Sequence, residues 1–131
     1  MLVPLPTSLP TACIGFFALA IGHAFADFAL QSQFMAENKN CHLVPKDTDT
    51  GTPSNMWMHV LTAHCLIHAG FVWVLLSQVT SFAWIFAFME LVLHWIIDWA
   101  KCDGKTCFNT DQGLHYLCKA GYILMLWLGW F

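Results

Sequence analysis

The chain has 131 residues, of which 58% are apolar and 10% charged, where soluble domains run about 45–50% and about 25%. A water-soluble fold of this size needs more polar surface than that, so the surplus apolar area is expected to face a bilayer. A net charge of −3 with no arginine leaves no basic face for nucleic acid.

The length allows one transmembrane domain over residues 1–131, of class all-α, an integral membrane four-helix bundle. The first helix is expected over about 11–36. Pro4, Pro6 and Pro10 precede it without any Lys or Arg, and its apolar stretch is too long for a signal-peptide core, so it reads as a permanent span. About 20 apolar residues at about 1.5 Å each cross a hydrocarbon layer of about 30 Å. Ala18, Gly22 and Ala26 recur every four residues as a small-residue stripe that admits a close neighbour. Residues 37–52 are a polar loop, and Thr52 followed by Pro53 reads as an N-cap with proline at the first helical position. A second helix follows over about 53–78. The short, uncharged link Val79–Thr80–Ser81 then predicts an antiparallel hairpin with a third helix over about 81–102. A loop leads to a fourth helix over about 109–131, capped by Asn109 or Thr110.

Lysines give an orientation. Lys39 and Lys46 lie in the first loop and Lys101 and Lys105 flank the third, while the other side has none. The positive-inside bias places loops 37–52 and 103–109 in the cytoplasm and both termini outside an inner (cytoplasmic) membrane. Trp57 and Trp99 fall near one boundary, and Trp84, Trp127 and Trp130 near the other, as an aromatic belt. Cys13, Cys65 and Cys118 sit in apolar runs, where a thiol acts as a small hydrophobe. Cys41, Cys102 and Cys107 lie in or beside loops, a weak signal for zinc or a disulfide.

Each helix carries potential ligands four residues apart: His23 and Asp27, His64 and His68, His94 and Asp98, Asp111 and His115, with Glu90 one turn before His94. Residues at this spacing share a helix face, about 5–6 Å apart at Cβ. Random placement of seven histidines and eight acids gives about two such pairs, and the chain has five, all in predicted spans. Antiparallel threading brings all four helices' pairs to the cytoplasmic half. An intramembrane Asp costs about 2.5–3.5 kcal/mol on insertion scales, so several together imply function. Lys101, Lys105 and Lys119 are near, but none is expected to lie deep. A divalent transition metal is therefore expected, Zn²⁺ first, with Mn²⁺ or Fe²⁺ also suited to mixed His and carboxylate ligands. Eight ligands exceed one tetrahedral shell, so one or two ions fit. The alternatives are a metal-free hydrogen-bond network or some of the eight acting behind the ligands. Glu90 or Asp111 is expected as general base. Gln31, Gln112 and Lys101 extend the stripes to the cavity mouth, where Lys101 serves an anionic head group or anchors the helix by snorkelling. His59 and His42 are expected outside the centre.

The segments GHAFADFALQSQFMAENK, HCLIH, HWIIDWAK and DQGLH resemble, in order from Gly22 to His115, an uncharacterised family of small inner-membrane proteins of bacteria and phages. The first loop is longer here and the 101–109 connection shorter. The resemblance implies a membrane protein and no established activity. A looser analogy is to membrane-bound metal-dependent hydrolases with His and Asp on transmembrane helices.

Three functions follow: a metal-dependent hydrolase of an amphiphilic or phosphate-bearing substrate among membrane lipids, a metal-ion or proton transporter unit acting as a homo-oligomer, and a non-catalytic membrane partner with a structural metal. The apolar outer half counts against the transporter.

Overall fold

The computed structural model describes residues 8–43 and 53–130, and every regular element among them is helical. Helix α1 covers Leu9–Ala24 and runs into a single π-helical turn, Phe25–Ala29. A short α2 follows over Gln33–Asn38, then α3 over Met56–Leu76, α4 over Ala83–Cys102 and α5 over Phe108–Trp127.

Local chemistry sets the ends. Ser8 caps α1 through a reciprocal pair with Thr11, and Pro10 occupies the first turn, where its missing N–H costs nothing. The Leu30 amide bonds the Phe25 carbonyl at 3.0 Å, five residues back, so the first helix widens there and stops. Ser32 restarts the chain as α2 by accepting the Met35 amide at 3.2 Å. An uninterrupted helix to residue 36 was expected, and these two bonds replace it. Helix α3 starts at Met56 behind Asn55, whereas the expected cap Thr52 lies outside the described residues, as does Lys46. Thr80 orders the α3–α4 turn by accepting the Phe82 amide at 3.1 Å. Gly104, at φ 73°, takes the left-handed conformation that closes α4.

The helices α3 and α4 form the central hairpin. Helix α1 packs on α3 and α5, α4 packs on α5, and α2 lies against α3. The small-residue stripe works as spacing predicts: a Cβ on Gly22 would sit 3.2 Å from Leu75 Cδ1, and Ala26 is fully buried.

The interior divides by polarity. One end holds an apolar core of Leu19, Val72, Leu76, Phe86, Tyr122, Ile123 and Leu126. The other holds His23, Lys39, His64, His68, His94, Asp98, Asp111 and His115, all buried. The outside is apolar instead, with Ile14, Phe17, Ile21, Trp73, Val74, Phe88, Ile96 and Leu117 exposed. Three stretches, Leu9–Ala29, Met56–Leu76 and Ala83–Cys102, are long and apolar enough to cross a membrane. Helix α5 is as long but less apolar, because Asp111, His115 and Lys119 form an inward stripe at i, i+4 and i+8.

Candidate metal centre

Four helices deliver the polar side chains to one volume. The π-helical turn presents Asp27 beside His23, which lies 3.6 Å away at the end of α1. Helix α3 contributes His64 and His68 from adjacent turns, with ring centroids 4.6 Å apart. Helix α4 contributes Glu90, His94 and Asp98, and α5 contributes Asp111 and His115. The His94 ring lies between those of His68 and His115, at 3.8 and 4.0 Å.

The heteroatoms, not only the rings, converge. Asp27 Oδ1 lies 3.3 Å from both His64 Nε2 and His68 Nε2, and His64 Nε2 lies 3.4 Å from His94 Nε2. One atom from each of these four residues falls within 4.8 Å of all the others. A tetrahedral ion with ligands at about 2.0–2.1 Å has ligand–ligand edges of about 3.3–3.4 Å. These three edges, at 3.3, 3.3 and 3.4 Å, match that figure. His68 Nε2 has no hydrogen-bond partner although the residue is 2% exposed, and such an orphan costs about 1–3 kcal/mol. A cation in the middle would give that nitrogen its partner.

A second group comprises Asp98, Asp111 and His115, again with ligand atoms within 4.8 Å of one another. His115 Nε2 lies 3.2 Å from Asp98 Oδ1 and 3.6 Å from Asp111 Oδ1. His23, His94 and His115 make a third, overlapping group between these two. No cysteine belongs to any of them, and all six are free thiols, Cys41, Cys102 and Cys107 included.

Lysines supply what spacing alone did not reveal. Lys39 follows α2 and is buried with its Nζ 2.5 Å from Asp98 Oδ2. Lys119 is 1% exposed and reaches Glu90 Oε1 at 2.5 Å. The expectation that no lysine is deep is thereby corrected; Lys119 continues the stripe of Asp111 and His115, a signal already present in the spacing. Lys101 reaches Asp111 Oδ2 at 3.2 Å from a partly open position. Lys105 stays outside, beside Asp103 and over the Trp99 ring. Its ammonium and the His42 ring hold the Asp103 carboxyl below the usual range. His59 is exposed and remote from the centre.

Of the four acids of the centre, the three buried ones, Glu90, Asp98 and Asp111, thus face a lysine, and the partly buried Asp27 alone among the described residues faces only histidines and an amide. Glu90 has both oxygens engaged: Oε1 by Lys119 and His94 Nδ1 (3.0 Å), Oε2 by the Tyr122 hydroxyl (3.0 Å). Gln112 donates to Asp27 Oδ2 at 2.8 Å and accepts His23 Nε2 at 3.3 Å, tying α5 to α1. Gln31 sits at the break after the π-helical turn, with a buried Oε1 that lacks a partner.

A family model described as Protein of unknown function (DUF3307) matches residues 16–129. The chain belongs to the DUF3307 family. The matched span includes every residue of the centre, from His23 to His115. No curated protein and no solved structure matches the chain.

Proposed function

We propose that this DUF3307 chain is an integral membrane metal protein in which Asp27, His64, His68 and His94 hold a divalent transition ion, and that the metal centre they belong to serves a hydrolase. The observation that carries the reading is Asp27. It is the one acid of the centre without a lysine among the described residues; the His64 and His68 nitrogens stand 3.3 Å from it, and His94 completes a set of atoms within 4.8 Å of one another. Asp27 and the three buried acids against three lysines leave one negative charge in the centre. A cation offsets that charge without a further side chain. Mixed imidazole and carboxylate donors suit Zn²⁺, with Mn²⁺ and Fe²⁺ next.

Membrane insertion extends to all four long helices on this reading. Asp111, His115 and Lys119 of α5 are buried, while Leu114, Leu117 and Leu124 lie exposed. Its outer face is therefore as lipophilic as those of the three more apolar spans. The lysine bias puts the polar end toward the cytoplasm, with both termini outside.

Hydrolysis fits the centre better than conduction. A bound transition metal lowers the pKa of a coordinated water to about 7 and polarises a scissile group. The mouth lies on the Asp27, Gln112 and Lys101 edge, where the Asp27 side chain is 11% and the Lys101 side chain 31% exposed, against 3% or less for the other ligands. Lys101 and Gln112 suit the anionic head of an amphiphile entering there from cytoplasm or lipid, and Gln31 lies near enough in sequence to Asp27 to border it. Glu90, closed in by Lys119 and Tyr122, orients His94 rather than moving protons, in the manner of carboxylates behind ligating histidines. Asp111 keeps one oxygen, Oδ1, free of protein hydrogen bonds. Conduction would need a polar path through the end filled by Leu19, Val72, Phe86 and Leu126, which is tightly apolar.

The test is detergent-purified protein loaded with Zn²⁺ and offered phosphoester and carboxylester amphiphiles. The reading predicts turnover in the wild type and none in Asp27→Ala or His68→Ala, both short of metal. Retained metal with no turnover on any ester would remove the hydrolase and leave the metal protein. Metal uptake into sealed vesicles would favour the transporter.

A further inference from the structure

We infer that Asp98, Asp111 and His115 form a second, open cation site beside the four-ligand group, weaker than the first because Lys101 competes for it. This rests on the metal reading above and adds to it a second ion, with a distinct role for each.

The two carboxylates divide their oxygens in the same way. Asp98 gives Oδ2 to Lys39, and Asp111 gives Oδ2 to Lys101 and to Gln112 at 3.3 Å. Each then turns Oδ1 toward His115 Nε2, at 3.2 and 3.6 Å. Asp111 is fully buried, yet its Oδ1 has no hydrogen-bond partner. A fully desolvated carboxylate oxygen without a donor is costly, and its direction toward His115 leaves a cation as the partner that fits. Asp98 joins the two groups: its Oδ1 faces His115 while its Oδ2 lies 3.4 Å from His64 Nε2. It therefore stands between the two groups, a ligand of the second that borders the first.

Ligand count separates the roles. Asp27, His64, His68 and His94 fill a tetrahedral shell, the pattern of a closed structural site. Asp98, Asp111 and His115 are three, which leaves a coordination position open, the pattern of a catalytic site. Asp111 of this group is also the ligand that Lys101, the more exposed side chain at the mouth, contacts.

Charge sets the order of filling. Four acids and three lysines sum to −1, so a first divalent ion brings the centre to +1 and a second to +3. The second ion therefore binds against positive potential, and Lys101 is the lysine with most freedom to swing out, its side chain being 31% exposed. A centre carrying that surplus attracts an anionic substrate group such as a phosphate.

Mn²⁺ is the probe, since hard O/N donors hold it and the free thiols contribute little. Full-length protein in detergent is titrated with Mn²⁺ and followed by equilibrium dialysis and electron paramagnetic resonance. The wild type is expected to take one ion tightly and a second weakly, the second producing an exchange-coupled spectrum. Asp111→Asn, nearly isosteric, is expected to hold one ion only. Lys101→Met is expected to bind the second about tenfold more tightly, equivalent to about 1.4 kcal/mol. If the wild type and Lys101→Met both stop at one ion, or the second ion shows no coupling, the second site is wrong while the metal reading stands. If the wild type binds none, both fail.

Discussion

Two carboxylates of the centre, the buried Glu90 and the partly buried Asp27, have opposite surroundings. Glu90 sits between the polar and apolar ends with Lys119 at 2.5 Å, Tyr122 at 3.0 Å and His94 at 3.0 Å, so both oxygens and its charge are satisfied by protein. Asp27 sits nearer the mouth and has three imidazoles and Gln112 around it but no lysine. Burial of a charge is tolerated only when it is paired and hydrogen-bonded. The Glu90 region meets that condition by itself, whereas the Asp27 region, on the proposed reading, meets it with a cation from outside. The difference separates a self-sufficient ion pair from a ligand set.

The largest expected effect breaks the Asp27 side of the comparison. Asp27→Ala should abolish the tight ion, as read by elemental analysis of purified protein. In the wild type, chelation should lower thermal stability by several kcal/mol, on the order of the 2.7–4.1 kcal/mol that saturating ligand supplies at 100 to 1,000 times Kd. The same chelation should leave Asp27→Ala unmoved.

The next effect breaks the Glu90 side. Lys119→Met alone strands a buried carboxylate and should cost about 3–5 kcal/mol by denaturant unfolding in detergent, whereas the double variant Glu90→Gln, Lys119→Met should recover most of that. If the single and double variants are equally unstable, the pair is not what holds this region.

A smaller effect sharpens the link between the two regions. Glu90→Gln keeps the shape but weakens the acceptor on His94 Nδ1, so metal affinity should fall about 10–100-fold with the ion still bound at saturation. An unchanged affinity would mean that His94 needs no support from Glu90. The smallest effect is a control on packing: Gly22→Ala, with its Cβ 3.2 Å from Leu75 Cδ1, trades a helix-propensity gain of about 1 kcal/mol against a similar repacking cost. Stability should stay within about 1 kcal/mol, and metal content should not change.

Periodicity carried much of this into view before any coordinates. The i, i+4 pairs His64–His68, His94–Asp98 and Asp111–His115 lie on regular helix, so spacing alone put them on one face, and antiparallel threading put them at one level. Two features were not legible. The π-helical turn at Phe25–Ala29, closed by the Leu30 amide on the Phe25 carbonyl, is a backbone feature that nothing in the residues FADFA marks. Without it, Asp27 would be placed only by the ordinary helical turn after His23. Lys39 was the other: it falls in the expected polar loop 37–52 and counts there only toward the lysine bias, yet the Ser32 cap folds α2 back along α3 and carries that lysine to Asp98. Long-range placement of a charged side chain by a short helix has no periodic signature.

X-ray absorption at the zinc edge, on protein loaded with one equivalent, tests the central claim most directly. The account predicts a first shell of nitrogen and oxygen at about 2.0–2.1 Å with outer-shell scattering from at least two imidazoles, lost in His68→Ala. A shell dominated by sulfur at about 2.3 Å, or a spectrum indifferent to His68, would place the ion elsewhere and contradict it.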